Sequence, residues 1–135
     1  MTVICMMVLP ERSESLEVAA ALADYLEQSG NTVRLGEVEA SAIGRRELGC
    51  SLEDFAADAG LAVSIGGDGT MLRTFERVAQ FGVPVLGVNV GHLGYLTEFE
   101  ADEAETAVDK ALRGDLPVEE RLMVQSRAQR STGEI

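Results

Sequence analysis

"SIGGDGTMLR", residues 64–73, sets three glycines around one aspartate, Asp68, directly after an apolar run of strand length at residues 61–65. The apolar positions that follow are Met71, Leu72, Phe75, Val78 and Ala79, which recur at helical offsets and do not alternate. Asp-Gly is a favoured hairpin pair, so a tight turn between antiparallel strands is the competing reading of Gly66, Gly67, Asp68 and Gly69. A hairpin calls for a second alternating strand, and the helical spacing after Thr70 predicts a strand-to-helix turn instead.

Working outward, the same unit recurs. Residues 3–9 form a continuous apolar run, as expected of a strand buried on both faces, and Pro10 ends it. Ser13 is placed to cap a helix with Glu14 and Glu17 in its first turn; Leu16, Ala19, Ala20, Ala23 and Leu26 keep helical spacing up to Gly30. Residues 32–35 predict a short second strand, residues 37–60 loops and short helical turns, and residues 83–90 a strand with Pro84 near its start. Asp102 and Glu105 have capping-box spacing before a helix carrying Ala104, Ala107, Val108, Ala111 and Leu112, closed by Gly114. Strands alternating with helices imply an α/β fold with a parallel sheet. The expected organisation is an α/β domain over residues 1–116. Residues 117–135 then read either as the beginning of a truncated, extended segment, at 118–129, or as a loose tail.

Bulk composition narrows the function classes. With 135 residues, 46% of them hydrophobic, the chain suffices for one packed domain. No run approaches the roughly 20 apolar residues of a membrane helix, and the start lacks the basic flank of a secretion signal, so a cytoplasmic protein without membrane partners is expected. Cys5 and Cys50 lie far apart, with neither a CxxC motif nor a histidine pair nearby, which indicates no zinc site and no disulfide framework. The 23 acidic against 11 basic residues give a net charge of -12, which argues against nucleic acid as a partner. Lys110 is the sole lysine; acid-rich, lysine-poor composition suits concentrated salt, and an ordinary acidic protein is the alternative.

At a strand-to-helix turn, free backbone N–H groups and the helix dipole favour an anion, and bare glycines let a phosphate approach the main chain. The carboxylate of Asp68 would repel that phosphate, which points to a second role for it, that of holding, or taking the proton from, a hydroxyl about to be phosphorylated. Arg73 and Arg77, one turn apart, are candidates to pair with phosphate oxygens, Arg77 equally a solvent-facing charge. A second glycine-rich stretch, NVGHLGYLT at 89–97, follows the 83–90 strand and is expected at the same carboxyl edge of the sheet, where ligands of open α/β sheets bind. There Tyr95 offers a stacking face and Asn89 an amide, while His92, the only histidine, is read as structural.

GGDGTMLR at 66–73 and NVGHLGYLTEF at 89–99, in this order and spacing, resemble the amino-terminal part of the NAD kinase family. The first motif is shared with diacylglycerol and sphingosine kinases and, more loosely, with phosphofructokinases; the second is much more specific. The resemblance implies a phosphofructokinase-like parallel α/β domain. It also implies transfer of the terminal phosphate of ATP, or of polyphosphate, to the 2′-hydroxyl of the adenosine ribose of NAD, giving NADP with a divalent metal such as magnesium. By the same resemblance Asp68 is the catalytic residue. The resemblance also makes Asp68 and Gly69 the NAD-contacting pair, Arg73 a nucleotide-binding position, residues 1–116 the nucleotide-binding domain and residues 117–135 the start of a truncated β-rich domain. Together with the turn and loop residues read above, the nucleotide-binding set is Gly66, Gly67, Asp68, Gly69, Thr70, Arg73, Asn89 and Tyr95, with Tyr95 standing where many members have phenylalanine; no residue is assigned to metal. Members continue into a β-rich domain with an Asn-Glu pair and a Thr/Gly/Ser-rich loop, both absent here, and assemble as homo-oligomers. A lipid kinase sharing the glycine motif and a non-catalytic nucleotide-binding fragment are the alternatives.

Overall fold

The computed structural model describes residues 1–91 and 94–120, so His92 and most of the 118–129 segment lie outside the described residues. Six strands form one sheet: β1 (Val3–Val8), β2 (Thr32–Gly36), β3 (Gly49–Cys50), β4 (Leu61–Gly66), β5 (Val85–Asn89) and β6 (Phe99–Glu100). Five helices accompany them: α1 (Ser13–Gln28), α2 (Glu37–Ala42), α3 (Leu52–Phe55), α4 (Asp68–Val78) and α5 (Ala104–Leu112). All pairings are parallel and the strand order is β3-β2-β1-β4-β5-β6. The order reverses between β1 and β4, which defines a doubly wound sheet with its topological switch point there.

The period of two along each central strand explains the two layers of helices. Ile4, Met6 and Val8 of β1, with Leu61, Val63 and Ile65 of β4 and Leu86 and Val88 of β5, face Ala19, Leu22, Ala23 and Leu26 of α1 and Ala104, Ala107 and Val108 of α5. Cys5 and Ala62 face the other way, against Phe55, Ala56 and Val78 on the side of α3 and α4. Tyr25 ties the first layer together by donating its hydroxyl to Asp109 Oδ2 at 2.5 Å, from α1 to α5. No helix among the described residues is long and apolar enough to cross a membrane.

The parallel α/β architecture matches the sequence expectation, and two local readings are corrected. Ser13 is the first helical residue, not the cap; Arg12 occupies that position without a side-chain bond, and Ser15 donates instead to the carbonyls of Leu9 and Arg12 at 2.5 and 2.8 Å. Before α5 the reciprocal contact forms at Glu100 and Glu103, where Glu103 Oε1 accepts the Glu100 N–H at 2.9 Å, so the box lies two residues earlier than Asp102 and Glu105. The edge strands β3 and β6 are two residues each, too short to carry any period.

Candidate functional site

The glycine-rich turn sits at the switch point. β4 ends at Gly66, Gly67 precedes the helix in extended conformation, and Asp68 opens α4, so the hairpin alternative does not form. Gly66 needs its missing side chain: a Cβ there would meet Thr70 Oγ1 at 2.4 Å and Leu9 Cβ at 3.2 Å. A Cβ on Gly67 would meet nothing within 4 Å, and one on Gly69 only Arg73 Nη1 at 4.0 Å, so the main chain stays open to a ligand at these two positions.

Asp68 does not point freely into that opening. Its Oδ2 accepts the Tyr95 N–H at 3.0 Å and its Oδ1 accepts the Leu96 N–H at 2.9 Å. The Tyr95 N–H, then the Leu96 N–H, hold the carboxyl below the ordinary aspartate range, against the opposing effect of partial burial. The two glycine-rich loops are thus joined through one side chain.

Small residues bring the second loop within reach. A Cβ on Gly87 of β5 would lie 3.0 Å from Met71 Sδ of α4 and 3.1 Å from Thr97 Cα, so glycine there lets both pack directly on the strand. Thr97 donates its hydroxyl to Asn89 Oδ1 at 3.3 Å, and Asn89 stands opposite Gly66 in the β4–β5 register. At Gly94 a Cβ would lie 2.4 Å from Asp68 Oδ1. Sequence reasoning placed the loop at the correct edge and missed Gly94 and the Leu96 N–H, because a main-chain donor leaves no mark in residue identity.

The expected site residues separate into frame and surface. Thr70 and Asn89 are 2% and 3% exposed. Thr70 accepts Arg73 Nη2 at its Oγ1 (3.3 Å) and Thr74 Oγ1 at its carbonyl (2.8 Å), both within α4, while Asn89, bonded by Thr97, braces the second loop. Gly67, Asp68, Gly69 and Arg73 retain solvent access, and Tyr95, at 99% exposed, leaves its ring uncovered. Arg12, which sequence reasoning did not single out, lies against Gly91, where a Cβ would meet its Nη1 at 2.4 Å. A cavity of about 590 Å³ opens beside the turn between the ends of β1 and β2 and helices α3 and α4. Leu9, Pro10, Leu52 and Phe55 form its apolar wall, and Arg73 and Arg77 line it together with Glu11, Glu39 and Glu76. No group of three or more His, Cys, Asp or Glu residues is placed to hold a metal ion among the described residues.

A doubly wound parallel sheet, with a bare glycine turn opening a helix at its switch point, defines a domain of the α/β class with an open turn at the edge where such sheets bind ligands. The chain belongs to the ATP-NAD kinase family: the model of the ATP-NAD kinase N-terminal domain matches residues 4–116. It is 42% identical over 120 residues to the NAD kinase of Moorella thermoacetica, a match covering 89% of this chain and 38% of that protein. To the NAD kinase of Symbiobacterium thermophilum it is 41% identical over 101 residues, covering 75% of this chain and 36% of the relative. The chain therefore spans well under half the length of these relatives. Among solved structures, yeast NADH kinase complexed with NADH shares the fold, with a TM-score of 0.73 at 20% identity over 85% of this chain and 39% of that one.

Proposed function

We propose that this chain supplies the catalytic aspartate and the phosphate-facing half of an NAD kinase, which phosphorylates the 2′-hydroxyl of the adenosine ribose of NAD to give NADP. One observation carries the reading. Asp68 stands ionised and doubly hydrogen-bonded at the head of α4, between an open glycine turn and an uncovered tyrosine ring. A hydroxyl donated to Asp68 would lie beside the bare main chain of Gly67 and Gly69, where a phosphoryl group has room to approach. The Tyr95 ring then offers its face to the nucleotide base. The cavity beside Arg73 and Arg77 suits the donor, ATP or polyphosphate, with its apolar wall taking a base and the two guanidiniums the phosphates. Its three glutamates oppose a bare polyanion, which favours a donor that arrives already carrying its divalent ion. Magnesium is accordingly read as part of the donor.

In this reading residues 1–116 form the nucleotide-binding domain and residues 117–135 the start of a β-rich domain or a loose tail; the enzyme is cytoplasmic and assembles as a homo-oligomer. The test is NADP formation by this chain with NAD, MgATP and high KCl, beside its Asp68→Asn variant, with NAD binding measured in parallel. NADP that depends on Asp68 supports the kinase. Binding of NAD without turnover supports a half-site that needs further residues for phosphoryl transfer. Neither binding nor turnover overturns the reading for this chain.

A further inference from the structure

We propose that Gly94 is a positioning residue for Asp68: its lack of a side chain lets the 94–96 main chain close over the carboxylate, so that the Tyr95 and Leu96 N–H groups hold it in one orientation at the head of α4. The geometry is specific to that carboxylate. A Cβ at residue 94 would lie 2.4 Å from Oδ1, 2.9 Å from Cγ and 3.2 Å from Oδ2, so the whole group would have to move. Aspartate has only two side-chain torsions, and both oxygens are already engaged, at 2.9 and 3.0 Å, so displacement breaks both bonds together.

The arrangement leaves room for a ligand. An ionised carboxylate has about four acceptor directions, and two remain for a hydroxyl. Fixing the group matters because a reacting geometry misplaced by about 1 Å costs on the order of 10²-fold in rate. That consequence rests on the kinase reading; the positioning itself does not. The charged groups near the turn are Arg73 on α4 and Arg12 against Gly91, and neither is among the causes that lower the Asp68 carboxyl, which are the two N–H groups.

The test separates the two ideas by using the 135-residue chain without any substrate. In the wild-type chain, the amide resonances of Tyr95 and Leu96 should titrate together with the side-chain carboxyl carbon of Asp68, at a pH below the ordinary aspartate value. Gly94→Ala should move that titration upward and uncouple the two amides. Introduced into an Asp68→Ala background, Gly94→Ala should no longer cost stability, since the methyl then has space. Where NADP formation is measurable, Gly94→Ala should lower kcat and weaken NAD binding together, as loss of the same two bonds from the Asp68 side would. Amides that ignore the Asp68 titration, an unmoved titration in Gly94→Ala, or an equal stability loss in both backgrounds would each overturn the proposal. Should Gly94→Ala fail to fold, the wild-type titration and the Asp68→Ala background still decide it.

Discussion

Asp68 combines two roles that one substitution cannot separate. Both carboxylate oxygens accept a main-chain N–H, so Asp68→Asn turns an NH₂ donor toward one of those donors and loses a tie between the loops. Asp68→Asn is therefore expected to weaken NAD binding as well as turnover; a pure loss of turnover with unchanged affinity would show that the loop stays in place without the tie. The same bonds have a pH signature. A carboxyl held below its ordinary value contributes stability that is fully present above about pH 4 and is lost as pH falls through the lower folded value. Hydrogen exchange of the Tyr95 and Leu96 amides should accelerate, relative to amides of β4, only in that acid window. Tyr95→Ala removes a ring that is 99% exposed and should leave the melting temperature unchanged while weakening NAD more than ATP. Equal effects on both nucleotides would remove the ring from the NAD side.

At the level of elements, the site depends on how closely α4 and the 94–97 loop approach the sheet. Gly87 is where both approach the same strand residue, 3.0 Å from Met71 Sδ and 3.1 Å from Thr97 Cα for an added Cβ. Gly87→Val should overpack this contact, lowering stability by about 1–3 kcal/mol in a denaturant melt, with the Tyr95 and Leu96 amides losing protection first. Neighbouring Ser64 is fully buried on the same strand pair, and its hydroxyl finds no partner among the described residues. Ser64→Ala relieves an unsatisfied buried group of nearly the same size, and should be neutral or stabilising by up to about 1 kcal/mol in the same melt. The central strands and long helices were legible because their apolar periods run over several residues. The caps of α1 and α5 were misplaced because Ser13 and Asp102 carry capping-type side chains, whereas the path of the chain puts Arg12 and Glu100 at the cap positions.

Across the whole molecule, the strand order puts both glycine-rich loops on one edge of one sheet, with the β1–β4 reversal beside them. The net charge of -12 is spread over this small domain with few compensating groups; Arg45, which bonds Asp24, Glu27 and Glu47, is one of them. Self-repulsion is screened as the Debye length falls from about 10 Å at 0.1 M to 3 Å at 1 M salt. Raising KCl over that range should therefore raise the melting temperature, and a flat or falling response would mark the acidity as incidental.

Residue identity alone determined the α/β class, the position of the glycine turn and the edge on which the second loop emerges. These follow from apolar periodicity and from the backbone freedom of glycine, both of which are local properties. Tertiary structure decided that Asp68 is clasped by Tyr95 and Leu96, that Gly94 leaves room for that contact and Gly87 for the packing of Met71 and Thr97, and that Thr70 and Asn89 are buried. The clasp joins main-chain groups 27 and 28 residues from the carboxylate. Every residue type except proline offers the same N–H, so only the folded path of the chain could select these two.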